Sequence, residues 1–175
     1  MIKNKTQRGA AMIELLIAML VVAFGVLGFV GLQAKTALSQ IEGYQRSQAL
    51  ILINDISARI ALNRVNAAAY VGNDIGTTDP GDCSAAATRV ATDLCEWSLS
   101  LQGAAELQGT TKLGAMTGAR GCITSPATNE YLISVVWQGV QATGAPATVC
   151  GEGEYSSENM RRAVTTVVQI ANLAS

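Results

Sequence analysis

The residues of this chain that could do chemistry are few, and their types exclude more than they permit. Histidine is absent, which removes the commonest general base and the commonest metal ligand together. Lys35 and Lys112 are the only lysines outside the N-terminal segment, and no GxSxG, HExxH or phosphate-binding loop accompanies the serines and carboxylates. Asp74, Asp79 and Asp82 fall close together, but without EF-hand spacing or a terminal glutamate they read as part of a solvated loop. No catalytic residue, cofactor or metal is implied, and the chain is not expected to be an enzyme.

The chemistry that remains is thiol chemistry and one misplaced carboxylate. Cys83, Cys95, Cys122 and Cys150 lie on the C-terminal side of a long apolar run, without CxxC spacing, so structural disulfides are expected rather than zinc or redox function. Four cysteines allow three pairings. Nearest-neighbour pairing, Cys83 with Cys95 and Cys122 with Cys150, closes small loops, each contributing about 3 kcal/mol. The carboxylate is Glu14, placed just before 18 residues from Leu15 to Leu32 that carry no charge or polar side chain. An acid there costs about 3 kcal/mol on insertion scales and needs a reason.

That run, about 27 Å long as a helix, is sufficient to cross most of a bilayer. Lys3, Lys5 and Arg8 precede it without an acid, which places its N-terminal end in the cytoplasm and everything after Lys35 beyond the membrane. Ordinary signal-peptidase cleavage fits poorly, because Ala37 and Ser39 are the nearest small pair after the run and lie too far downstream. In 175 residues with 49% apolar and 14% charged composition, there is room for one modest domain and an anchor. Twelve basic residues against 13 acidic ones leave no surplus for phosphates, so nucleic acid is not an expected partner.

The segment Arg8-Gly9-Ala10-Ala11-Met12-Ile13-Glu14-Leu15-Leu16 resembles a type IV prepilin processing site. The resemblance implies a leader, residues 1–9, removed after Gly9 by a prepilin peptidase, and N-methylation of the new terminus at Ala10. Ala10 departs from the phenylalanine or methionine usual there. The physical reading supplies a reason for Glu14: a new amine at Ala10 is a second charge in or near lipid, and pairing with Glu14 of a neighbouring subunit offsets both desolvation costs.

Beyond the run, Leu38, Ile41, Leu52, Ile53, Ile56 and Ile60 recur at helical spacing, and Glu42–Arg46 and Asp55–Arg59 are i, i+4 acid-before-base pairs. One helix from about Ala10 to about Ala69 is expected, its second half amphipathic. Gly25, Gly28 and Gly31 suit close approach of helices in a membrane. The stretch from Asn73 to Asp82 reads as an exposed loop. Val90, Leu94, Trp97 and Leu101 suggest a short helix, although Trp97 to Leu101 alternates as a strand would. Strands are expected at Tyr131–Gln138, at Ala163–Ile170 and around Arg120–Thr124. Laid across the amphipathic helix, they make an α+β fold in which Trp97, Tyr131 and Trp137 fill the core.

Ala49 to Arg64, Asp93-Leu94 with Trp97, Gly121-Cys122-Ile123, Val136-Trp137-Gln138-Gly139 and Arg161-Arg162-Ala163-Val164, taken in order, resemble PilV-type minor pilins. The resemblance implies a pilin fold with a leader at 1–9, a transmembrane and filament-core helix at 10–34, its amphipathic continuation at 35–70 and a disulfide-containing periplasmic head at 71–175. It implies a low-copy subunit, single-pass in the inner membrane and then in the extracellular pilus, that helps initiate assembly. Implied partners are other minor pilins, the major pilin, a tip adhesin and the inner-membrane assembly platform. A pseudopilin of a type II secretion system shares the N-terminal features and is the alternative.

Overall fold

A computed structural model describes residues 8–104, 107–109, 111–112 and 116–171. The expected leader lies outside the described residues up to position 7. Two compact units divide the chain at residue 40, and helix α1, Arg8–Leu62, contributes to both.

In the first unit every side chain from Ala11 to Ala37 is exposed. Leu16, Phe24, Leu27 and Leu32 are each 64–67% exposed, and the helix is long and apolar enough to cross a membrane. Apolar surface of this kind suits cover by lipid or by other helices. A Cβ added at Gly25, Gly28 or Gly31 meets nothing within 4 Å.

In the second unit α1 becomes one-sided. Gln45, Ala49, Ile53, Ile56 and Ile60 are buried at steps of three and four, the period of one helical face. Ile41, expected in that stripe, remains 46% exposed. The Asp55–Arg59 pair forms at 3.0 Å.

The α-helix ends at Leu62 rather than near Ala69, and a 3₁₀ segment, Arg64–Tyr70, follows. Asn63 and Asn66 cause the break. Both leave helical dihedral angles, Asn66 Nδ2 donates to Asn63 Oδ1 at 2.9 Å, and Asn63 Nδ2 donates to the Tyr70 hydroxyl at 3.1 Å. Short amide side chains offer the chain an alternative to the helical ladder, and here that alternative wins.

Strand β1, Gly72–Ile75, occupies part of the segment expected as loop. Its residues carry little strand propensity; pairing with a later strand and packing of Ile75 on the core make it one. Helix α2, Arg89–Leu101, begins at Thr88, whose Oγ1 accepts from the Ala91 N–H at 3.1 Å. It settles the Trp97 ambiguity in favour of helix, because Asp93, Trp97 and Leu101 then share one buried face.

Two residues each of β2, Leu107–Gln108, and β3, Thr111–Lys112, form a small hairpin. Strands β4, Thr117–Ala127, β5, Glu130–Gln138, and β6, Arg161–Gln169, complete a four-stranded antiparallel sheet in the order β1-β4-β5-β6. Alternation divides its faces. Tyr131, Ile133, Val135 and Trp137 meet Ile53, Ile56, Ile60, Trp97 and Leu101 in the main core, while Cys122, Val136 and Cys150 form a smaller cluster on the other face.

Trp97 locks the layers together. It is fully buried and donates Nε1–H to the Leu52 carbonyl of α1 at 2.9 Å. Its ring lies so close to β4 that a Cβ on Gly121 would fall 2.2 Å from it, which is why only glycine serves there. The structure is thus α+β, a long N-terminal helix whose second part packs on a small antiparallel sheet.

Candidate functional site

Gly9 and Ala10 lie in the first turns of α1, and Glu14 follows on the same helix with its side chain exposed. Along the described residues from Ala11 to Gln33 it is the single charged group, so the exposed apolar surface carries one carboxylate near its N-terminal end. Such a group inside a hydrocarbon layer calls for a partner of opposite charge from outside the segment.

The cysteines pair as Cys83–Cys95 and Cys122–Cys150, with no free thiol. The first pair ties the short 3₁₀ turn at Cys83–Ala85 to α2. The second ties β4 to the long connection between β5 and β6, residues 139–160.

Two adjacent arginines at the start of β6 hold that same connection. Arg161 is 3% exposed. Its guanidinium donates to the carbonyls of Thr148 at 2.6 Å, Cys150 at 2.9 Å and Pro146 at 3.4 Å, and pairs with Glu158 at 2.6 Å. A planar five-donor group suits that arrangement, and the compensating charge and carbonyls make burial tolerable. Backbone donation from Gly153, followed by Arg161, holds the Glu158 carboxyl below its usual range.

Arg162 points to the other side of the sheet and reaches α1. Its Nε and Nη2 donate to Glu42 at 3.1 and 3.2 Å, and it also donates to the carbonyls of Asn159 and Gln141. Glu42 in turn accepts the N–H groups of Val140 at 2.7 Å and Gln141 at 3.2 Å. The expected Glu42–Arg46 helix pair is replaced by a contact 120 residues apart, because a half-buried guanidinium with fixed geometry outcompetes a solvated one.

Burial alone would raise the Glu42 carboxyl, but the Val140 and Gln141 amides and Arg162 outweigh it and bring it below its usual 4.5. A carboxyl depressed on folding contributes stability above its unfolded pKa and loses it as the pH falls through the folded one. Glu42→Gln is therefore expected to cost about 2 kcal/mol at neutral pH, as charged hydrogen bonds do. That difference from wild type should shrink as the pH drops below 4.5. Denaturant titrations across the acid range measure it; a difference independent of pH would exclude the charge as the cause.

A third network closes the far end of α1. Asp93, 1% exposed, accepts hydrogen bonds from Arg59 at 3.0 Å and from the buried Tyr70 hydroxyl at 2.5 Å, and forms an ion pair with Arg89 at 3.0 Å. Burial, and then the Asp93 hydrogen bond, push the Tyr70 phenol upward. Desolvation works against the Arg59 charge, yet Glu96, Asp55 and Asp93 together hold its guanidinium more firmly protonated than usual.

Glu42, Asp93, Arg161 and Arg162 thus organise the second unit, and sequence reasoning did not find those roles. The one available signal was the Arg161-Arg162 pair opening an otherwise uncharged strand. Among the described residues no cluster of three metal-ligating side chains is present. No protein-family model, curated protein or solved structure matches the chain. The fold and site define an α+β protein with one membrane-competent helix and a sheet unit braced by two disulfides.

Proposed function

We propose that this chain is a minor pilin that helps initiate type IV pilus assembly from the inner membrane. The observation that carries the reading is α1. Its exposed apolar part holds Glu14 behind the Gly9-Ala10 junction, and its later part is one-sided and covered by an antiparallel sheet. A helix of this kind can be stored in lipid and then transferred into a bundle of like helices, where Glu14 meets the Ala10 amine of a neighbour. The sheet unit remains outside the membrane, in the compartment where its disulfides form. Prepilin peptidase, the other minor pilins, the major pilin, the assembly platform and a tip adhesin are the partners this function requires.

Processing is the direct test. The mature chain should begin at an N-methylated Ala10, and Gly9→Val should leave full-length protein in the membrane, because a peptidase groove at that residue needs close backbone approach. Intact-mass measurement decides, and an unprocessed Met1 in the wild type would overturn the reading. Quantitation in sheared filaments separates roles: an initiator is present at a small fraction of the major subunit, and its deletion lowers filament number.

A further inference from the structure

The seat of α1 on the sheet is uneven. From Leu52 to Ile60 it is firm: Ile53, Ile56 and Ile60 are at most 1% exposed, the Leu52 carbonyl accepts from Trp97, and Arg59 reaches Asp93. Over the preceding turns, Ile41 to Ala49, it is loose. Ile41 and Tyr44 remain 46% and 49% exposed. A cleft of about 220 Å³ opens between Glu42, Gly43 and Arg46 of the helix and Trp137, Arg162 and Ala163 of the sheet, and Gly43 has no side chain to fill it.

Two polar atoms in this seam have no hydrogen-bond partner. Gln45 Oε1 and Trp137 Nε1 are both closed to solvent, in residues 5% and 2% exposed. Each loses water on folding and gains nothing in return, so each weakens the closed seam, and hydration on opening would restore both bonds. Trp97 shows the contrast: the same indole donor, at the firm end of the interface, is satisfied by a helix carbonyl. Glu42 works in the opposite sense. Its carboxylate gathers Nε and Nη2 of Arg162 and the amides of Val140 and Gln141, which ties the loose turns down at one point.

We infer that residues 41–49 are a strap that lifts from the sheet as a local unit, with Glu42 as its latch, while the helix from Leu52 onward stays seated. Lifting leaves the backbone ladder of α1 intact, so its cost falls on the seam alone. The Glu42 hydrogen bonds and the burial of Gln45 and Ala49 are lost, and hydration of the two orphaned atoms is gained. The lifted state bares Trp137 and frees the strap's turns of α1. Every group concerned belongs to the second unit. The inference does not depend on the pilus reading.

The test uses the full chain in detergent micelles and maleimide labelling of single added thiols under native conditions, the four native cysteines being paired. Ala49→Cys probes the strap and Ala67→Cys the 3₁₀ segment; the two alanines are 0% and 2% exposed. Position 49 is expected to label at least about a hundredfold faster than position 67, since only the strap is reached without global unfolding. In the Ala49→Cys background, Glu42→Gln should speed labelling at least about tenfold by weakening the latch. Gln45→Met, which removes an orphaned acceptor at similar volume, should slow it at least about fivefold. Equal rates at the two positions would mean that the seam opens only with the whole unit and would overturn the inference, as would unchanged or faster labelling with Gln45→Met. Should Ala49→Cys fail to fold, Gln45→Cys carries the same comparison with Ala67→Cys and the same response to Glu42→Gln.

Discussion

Asp93→Ala is expected to destabilise the sheet unit by about 2–3 kcal/mol, the range for leaving a buried hydrogen-bond donor without an acceptor. Asp93 is the shared partner of three groups from three elements: it accepts from Arg59 of α1 and Tyr70 of the 3₁₀ segment and pairs in charge with Arg89 of α2. The arginines have other recourse, since Arg59 retains Asp55 and Glu96 and the Arg89 side chain is 69% exposed. Tyr70 has none, because Asn63 donates to its oxygen and the phenolic proton would have no acceptor in a fully buried site. The cost should therefore depend on that hydroxyl. Tyr70→Phe combined with Asp93→Ala is expected to be less damaging than the sum of the two, with a coupling of about 1–3 kcal/mol. Urea titrations of the four proteins measure it, and strict additivity would show that the hydroxyl and carboxylate do not act together.

The Cys122→Ser, Cys150→Ser double variant is expected to lose about 3.6 kcal/mol, and the Cys83→Ser, Cys95→Ser variant about 2.9 kcal/mol, from loop-closure entropy. The order follows from separations of 28 and 12 residues. The larger loss also has a local consequence. Cys150 and Arg161 hold the same connection, since Arg161 donates to the Cys150 carbonyl. Without the disulfide, the connection depends on guanidinium contacts whose partners must first be brought together. It should become the preferred site of limited proteolysis, between residues 139 and 160, while the β4–β5 pairing persists. A loss below about 1 kcal/mol with an intact cleavage pattern would mean that Arg161 alone suffices.

Much of this protein could be read locally. The apolar run and Glu14 are matters of composition. The strands β5 and β6 show in β-branched and aromatic residues, and the nearest-neighbour cysteine pairs in sequence distance alone. The buried stripe from Ala49 to Ile60 follows helical period, and Trp97, Tyr131 and Trp137 are buried as large aromatics in a small core are expected to be. In each case the deciding interaction is either within a few residues or indifferent to which partner supplies it.

What the tertiary structure alone decided is the choice among partners distant in sequence. Glu42 has an acceptable base one helical turn away and instead takes Arg162, because the sheet brings a pre-oriented guanidinium and two amides to it. Gly72–Ile75 becomes a strand because β4 offers it a ladder. Asn63 and Asn66 stop the helix where Tyr70 folds back to meet them. Arg161, an ordinary surface residue by type, is buried because carbonyls from its own loop surround it. Hydrogen bonds and charges are directional and short in reach, so their partners are set by topology, whereas apolar burial is non-directional and leaves its pattern in the order of the residues.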